Sequence, residues 1–443
     1  MNHSSLVNNL LSESFVARAK SVLALNRQKK FTKPSPKLYP HQWNWDSGFI
    51  ALGLVQCQPE QAETEILSLL QGQWQDGMLP QIIYRAGKKG YFPGPDHWKI
   101  RQAAHAPKKV STSGITQPPI VTVAAYEVAR QNGDSFARQV YPRLLHYHRW
   151  LHKMRDPHGQ GLAAIIHPWE SGLDNSPRWV EPLMNVEITS PLQYERSDNL
   201  DVPSAQRPTQ ADYDRFVFLM NKARDLNYDQ SKIFAHFPFL VQDVAFNAIL
   251  HRADECLGKL AEMVNAPAEE LEEIRGWLRA SRAAFQNRLW DKSSGLYLDY
   301  DLNRKASIQQ NTIAALIPLY AGLPSEPQAK ILVEKYLLNS EEYAPDGQHT
   351  HFFIPTTSKT NEYYDPVNYW RGPIWVNTNW LIIEGLRRYP DYHGLADQIR
   401  LETLNLLDRH GFYEYFHPNT GEGLGTDNFS WSAALALVLL SEK

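Results

Sequence analysis

The chain has 443 residues, 43% of them apolar and 21% charged, and a formal net charge of −3. That length suffices for a large core, and the composition excludes a disordered chain. The slight negative charge leaves no basic surplus to neutralise phosphates, so nucleic acid is not an expected partner. The only cysteines, Cys57 and Cys256, fit a reducing compartment and argue against a disulfide framework or a thiolate metal site. The N-terminal residues lack a basic stretch followed by an apolar run, and no stretch approaches the ~20 apolar residues that cross a bilayer. A cytoplasmic protein that does not engage membranes is expected. Thirteen Trp and 21 Tyr are many for this length; such rings fill cores, and their faces also suit the C–H faces of a sugar.

Helical periodicity recurs along the chain. Apolar residues at three- and four-residue spacing predict helices over 13–28, 47–57, 61–73, 119–132, 137–154, 213–225, 240–263, 268–290, 309–321, 327–338, 374–388 and 394–408. In 268–290, Leu271, Ile274, Leu278, Phe285 and Leu289 form one stripe, while Glu269, Glu270, Glu273, Arg275 and Arg279 fall largely elsewhere. The closing segment FSWSAALALVLLSEK is apolar nearly all round and is expected to be buried. The strand-like runs GLYLDYDL and HFFIP are too short for a central sheet, and strand–helix alternation is missing. The expectation is one all-α domain over 1–443. Two irregular stretches, at about 84–119 and 182–211, interrupt it. Loops beyond about 12–15 residues in a compact domain are usually functional or disordered. Tyr91, Phe92 and Trp98 favour order in the first, and both read as lids.

Four aromatic-rich segments precede or join these helices. YPHQWNWDSGF (39–49) carries Tyr39, Trp43, Trp45 and Asp46; HPWESGLDNSPRW (167–179) sets Glu170 and Asp174 between Trp169 and Trp179. NYWRGPIW (368–375) carries Tyr369, Trp370, Arg371 and Trp375, and GFYEYF (411–416) places Glu414 between two tyrosines. In a barrel of helical hairpins, such loops converge at one end and gather residues far apart in sequence. Glycoside hydrolysis needs two carboxyl groups: one kept protonated by an apolar setting to donate to the leaving oxygen, one ionised to activate water. Asp174 suits the first role and Glu414 the second. The plainer alternatives are an ion pair of Arg178 with Asp174 or Glu170, an N-cap role for Asp46 on a helix starting near Ser47, and core packing for many of the tryptophans.

In this order, NWDSGF, SGITQPP, ESGLDNSPRW, YWRGPIW and EYFHPNTGEGLGTDNFSWSAA resemble glycoside hydrolase family 63, in its bacterial glucosylglycerate and mannosylglycerate hydrolase branch. The resemblance covers about residue 39 to the C-terminus. It implies an (α/α)6 barrel with long lid loops and few short strands, and an inverting mechanism without metal or cofactor. By resemblance Asp174 is the general acid and Glu414 the general base. Tyr39, Trp43, Trp45, Asp46, Gln117, Trp169 and Trp375 form the walls and hydroxyl partners of the sugar pocket. QRPTQADY places Arg207 and Tyr213 as a clamp for the carboxylate of a glycerate aglycone, with Tyr91, Tyr369 and Trp370 completing that subsite.

The implied substrate is a small anionic glycoside, glucosylglycerate first and mannosylglycerate beside it. Glucose and mannose differ only at C2, and the motifs do not separate them. The first lid is also locally basic, with Arg85, Lys88, Lys89, Lys99, Arg101, Lys108 and Lys109 against Asp96. The rival readings are an α-glucosidase acting on a neutral disaccharide such as trehalose or kojibiose, an epimerase or lyase using His167, His349 or His351, and a sugar-binding protein. The last would keep the aromatics and lose a carboxylate.

Overall fold

The structure, a computed structural model, describes residues 13–85, 91–200, 202–345 and 354–441. Lys88, Lys89, His349, His351 and the HFF of HFFIP lie outside these. Its main helices are α1 (Glu13–Asn26), α2 (Asn44–Leu54), α3 (Pro59–Leu70), α4 (Ile120–Asn132), α5 (Asp134–Met154), α6 (Gln210–Asp225), α7 (Val244–Val264), α8 (Ala268–Ala284), α9 (Glu326–Lys330), α10 (Val376–Leu386), α11 (His393–His410) and α12 (Ser430–Ser441).

Packing follows the apolar pattern. Every residue of α2 is buried, as is nearly all of α10 and α12; α12 is apolar nearly all round, and α2 and α10 largely so beyond their polar first turns, so they have no face to offer water. These segments form an inner ring: α2 packs on α4, α4 on α7, α7 on the tight turns at 317–321, these on α10, α10 on α12, and α12 back on α2. The outer helices bury one stripe each. α1 lies on α12, α3 on α2 and α4, α5 on α4 and α7, α8 on α7, and α11 on α10 and α12. On α8 only Ile274 and Ser281 are fully buried. Each apolar side chain sealed in the ring contributes about 1.5–3 kcal/mol against conformational entropy.

The departures from the predicted elements have local causes. The expected helix at 309–321 is two 3₁₀ segments, Ile313–Ala315 and Ile317–Ala321. Pro318 donates no hydrogen bond there, and its ring would crowd the carbonyl four residues back. The segments at 268–290 and 327–338 both finish in π-type turns, Phe285–Leu289 and Ile331–Leu337. α2 starts at Asn44 with Trp43 at its N-cap, so Asp46 lies inside the first turn and the capping alternative falls away.

The strands are ties between loops. Trp43 pairs with Ile82, and Ile83 with both Gln42 and Thr112. Tyr415 and Phe416 pair with Leu424 and Gly423, and Ile374 bridges to Phe416 and Pro355. The GLYLDYDL run divides: Leu296–Tyr297 pairs back on Trp290–Asp291, while Tyr300–Asp301 joins Val241–Gln242 and Ala306–Ser307.

Candidate active site

The loops entering α2, α4, α10 and α12 meet over one end of the inner ring and line a cavity with about 880 Å³ of empty space, open solvent at its mouth included. Helix N-termini turned toward one space favour negative charge there. Tyr39, Trp43, Trp45, Asp46, Tyr91, Gln117, Trp169, Asp174, Arg207, Tyr213, Tyr369, Trp370 and Glu414 all line it. Trp375 is the exception among the anticipated residues. It is 1% exposed, stacks on Trp370 at 3.6 Å and on Tyr415 at 4.7 Å, and donates from Nε1 to the Tyr369 carbonyl. It backs the wall that Trp370 presents.

The loop carrying Asp174 is fixed from several sides. Glu170 forms a two-pronged pair with Arg155 at 2.6 and 2.7 Å and accepts from the Thr116 and Ile166 amides. Gly172 has φ +74°, and a Cβ there would stand 2.3 Å from the Trp45 ring; a side chain would push that indole off the loop. Asn175 Oδ1 accepts from the Trp370 amide and the Asn175 carbonyl from Arg371 Nε, binding this loop to the YWRG segment. Arg178 pairs with Asp243 and Asp299, so neither Asp174 nor Glu170 uses it. Asp174 is left on the cavity wall. Burial chiefly pushes its carboxyl well above the ordinary range, the charges of Glu414, Asp198 and Asp46 add to that, and Arg207 opposes it. This is the condition a proton donor needs.

Glu414 stands opposite in kind. Its amide donates to the Thr426 carbonyl, and the hairpin turn brings Gly425 (φ +71°) so close that a Cβ would lie 2.4 Å from Glu414 Oε2. Oε1 accepts from Tyr39 Oη at 2.7 Å, and Oε2 from Arg207 Nη2 at 3.0 Å. Arg207 Nη1 donates to Tyr39 Oη at 2.9 Å. Arg207, expected beside an aglycone, is thus also a direct partner of the candidate base. Burial pushes Asp46 well up as well, with Glu414 adding to it.

The described parts of the two irregular stretches meet at the cavity. Phe92 stacks on Tyr194 at 5.0 Å, the Phe92 amide donates to Ser197 Oγ, and Arg196 covers the Tyr213 ring at 4.2 Å while pairing with Asp198. Lys99, Arg101, Lys108 and Lys109 face solvent, and Arg85 donates to Ser68 at 2.6 Å, so none of these five lines the cavity. Sequence reasoning missed Gln81, Phe92, Ser197, Asp198, Phe429 and Trp431, all on the wall. Phe429 and Trp431 sit inside a motif quoted above, but nothing in the pattern marks Ser197 or Asp198.

Among the described residues, the one group with metal-ligand spacing is His148, His152 and Asp254, between α5 and α7. Its members bond to each other, His148 Nδ1 to Asp254 at 2.6 Å and His152 Nε2 at 3.0 Å, and none lines the cavity. His167 has Nδ1 engaged by the Trp169 amide and Nε2 by the Phe216 carbonyl, and burial pulls it down to about 3. Both nitrogens are occupied, which removes it as the acid–base residue of an epimerase.

The family model for the mannosylglycerate hydrolase MGH1-like glycoside hydrolase domain matches residues 39–432. This chain belongs to that family. As a glycoside hydrolase of family 63 it is 43% identical to a mannosylglycerate hydrolase of Thermus thermophilus over 95% of this chain and 99% of that one. It is 34% identical to a glucosylglycerate hydrolase of Mycolicibacterium hassiacum, over 95% and 96%. The crystal structure of a family 63 mannosylglycerate hydrolase from Thermus thermophilus, in complex with Tris and D-glycerate, superposes with a TM-score of 0.88 at 40% identity. That superposition covers 96% of this chain and 99% of that one. The ring of inner helices described above is the (α/α)6 barrel of this family 63 glycoside hydrolase.

Proposed function

We propose that this glycoside hydrolase cleaves α-glycosides of D-glycerate, mannosylglycerate foremost and glucosylglycerate beside it, with inversion at the anomeric carbon. The observation that carries the reading is a buried guanidinium, Arg207, on the wall of the cavity that holds both Asp174 and Glu414. A sealed cation offers a neutral disaccharide little and a carboxylate-bearing aglycone a strong partner. The order of the two sugars follows the relatives: two mannosylglycerate hydrolases at 43% and 38% identity, the glucosylglycerate hydrolase at 34%.

In this reading Asp174 gives its proton to the glycosidic oxygen, and Glu414 takes one from a water attacking the opposite face of the sugar. An inverting pair leaves roughly 6.5–9.5 Å between the carboxyl groups for that water. Asp46 and Gln117 hold sugar hydroxyls, Trp43, Trp45 and Trp169 supply ring faces, and Tyr213 and Tyr91 join Arg207 around the aglycone. The test is hexose released from mannosylglycerate, glucosylglycerate, trehalose and kojibiose side by side, with the first-formed anomer read by NMR. Preference for a glycosylglycerate and initial β-hexose support the proposal. Preference for a neutral disaccharide would keep the two carboxylates and sink the clamp.

A further inference from the structure

We propose that Arg207 couples the charge of the aglycone to the general base, so that the substrate's own carboxylate speeds the chemical step as well as holding the substrate in place. This rests on the glycerate reading above and adds a second role for the same guanidinium.

The guanidinium has two edges, one bonded to the base and one left unbonded. Its end-on edge faces the base: Nη2 donates to Glu414 Oε2 at 3.0 Å, and Nη1 lies 3.5 Å from Oε1 while donating to Tyr39 Oη at 2.9 Å. Its side-on edge is formed by Nε and the second hydrogen of Nη2. Nε is buried and has no hydrogen-bond partner among the described residues. One face of the group is covered by the Tyr369 ring, at 4.7 Å from its centroid. Arg207 lines the cavity, so a slight shift of the side chains that cover Nε would let an aglycone carboxylate take the side-on edge while Glu414 keeps the other, and a buried donor with nothing to bond is costly until it does.

The consequence follows from counting charges through the reaction. With a glycosylglycerate bound, two anions, Glu414 and the aglycone carboxylate, share one cation. When Glu414 takes the proton from water, its hold on Arg207 fades, its repulsion of the aglycone carboxylate disappears, and the guanidinium's attraction passes to the aglycone. The substrate's charge is then held more tightly in the transition state than in the ground state, which is the condition for raising kcat and not only lowering KM. With a neutral aglycone the same proton transfer takes from Arg207 its hydrogen-bonded anion and leaves a buried cation poorly paired. Asp174 becomes an anion in that step but has no hydrogen bond to Arg207 among the described residues, so it restores only part of what is lost.

The test separates the two halves of the substrate. The α-glycosyl fluoride of the preferred sugar has no aglycone beyond fluorine, so D-glycerate can be supplied separately. Water's oxygen bonds to the anomeric carbon, the C–F bond breaks, fluoride leaves, and Glu414 accepts the water's proton. Fluoride release by the wild-type enzyme should rise saturably with added D-glycerate, by about tenfold in kcat, the effect of one charge contact on a barrier. Glycerol, the neutral counterpart, should leave it unchanged. Calorimetric titration with D-glycerate runs alongside. If glycerate binds but inhibits or leaves the rate unchanged, the coupling is wrong and the clamp stands. If glycerol activates equally, occupancy and not charge is responsible, and the coupling is again wrong. If glycerate does not bind at all, both the coupling and the glycerate reading fall.

Discussion

Two buried glutamate–arginine pairs in this protein have nearly the same parts and opposite uses. Glu170 and Arg155 are 0% and 1% exposed, and both carboxylate oxygens are filled by the guanidinium and by two backbone amides. Glu414 and Arg207 are 1% and 2% exposed and also paired, at the looser distances of 3.0 and 3.5 Å, but both stand on the wall of the cavity. Each arginine has an unpaired Nε, so that feature alone distinguishes nothing. The difference is where the pair sits: in packed core at Arg155, against the ring of Trp150, and on the wall of the cavity at Arg207. A buried ion pair marks a functional site only when some of its valence is left toward a place where a substrate can stand.

Breaking each member of the comparison should separate activity from stability. Glu414→Gln and Asp174→Asn should each lower kcat by about 10³-fold or more, with the thermal midpoint held in Asp174→Asn and lowered in Glu414→Gln, which leaves the Arg207 cation buried without its anion; near-normal turnover in either would remove it from the chemistry. Arg155→Met leaves Glu170 charged and unpaired, and should cost about 3–5 kcal/mol in a denaturant titration. If it altered KM without altering stability, the assignment of that pair to structure would be wrong. Gly172→Ala meets both the positive φ and the Trp45 ring, and should cost about 1–3 kcal/mol together with part of kcat.

The acid offers a finer contrast. Because burial raises the Asp174 carboxyl in the folded state, its contribution to stability is fully present below its ordinary value and is lost as pH rises through the raised one. Asp174→Asn, which carries no charge to bury, should therefore gain in midpoint over wild type as pH rises; a constant gap would contradict this. Activity should decline along the same limb as the proton donor is lost. Smallest of all, Lys108→Ala with Lys109→Ala should change stability by no more than about 0.5 kcal/mol and leave KM unaltered, since both side chains face water.

Much of the barrel was legible because inner helices such as α12 carry an unmistakable all-apolar pattern, and because the Asp174 loop breaks periodicity with residues such as Gly172 and Pro177. The limits were physical. Pro318 turns an apolar helical pattern into 3₁₀ segments at the fourth inner position. Trp370 and Trp375 belong to one loop, and only the stacking at 3.6 Å decides which of them reaches the cavity. Arg207 and Glu414 are 207 residues apart, and no spacing rule connects them. Ser197 and Asp198 reach the wall because their segment folds onto Phe92, a tertiary event with no local signature.

The closed ring also has a consequence in time. α1 is tied to the entry of α12 by Asn26 Nδ2, which donates to the Asn428 carbonyl and to Ser430 Oγ, and Tyr39 reaches Glu414 across 375 positions of chain. Contacts of that separation form late, after much loop entropy has been surrendered. A nascent chain emerging from the ribosome cannot bring Tyr39 and Arg207 to Glu414 until the segment bearing Glu414 arrives and the circle shuts. On the proposed roles of Asp174 and Glu414, activity should return during refolding only once the ring has closed, so its appearance would time that closure.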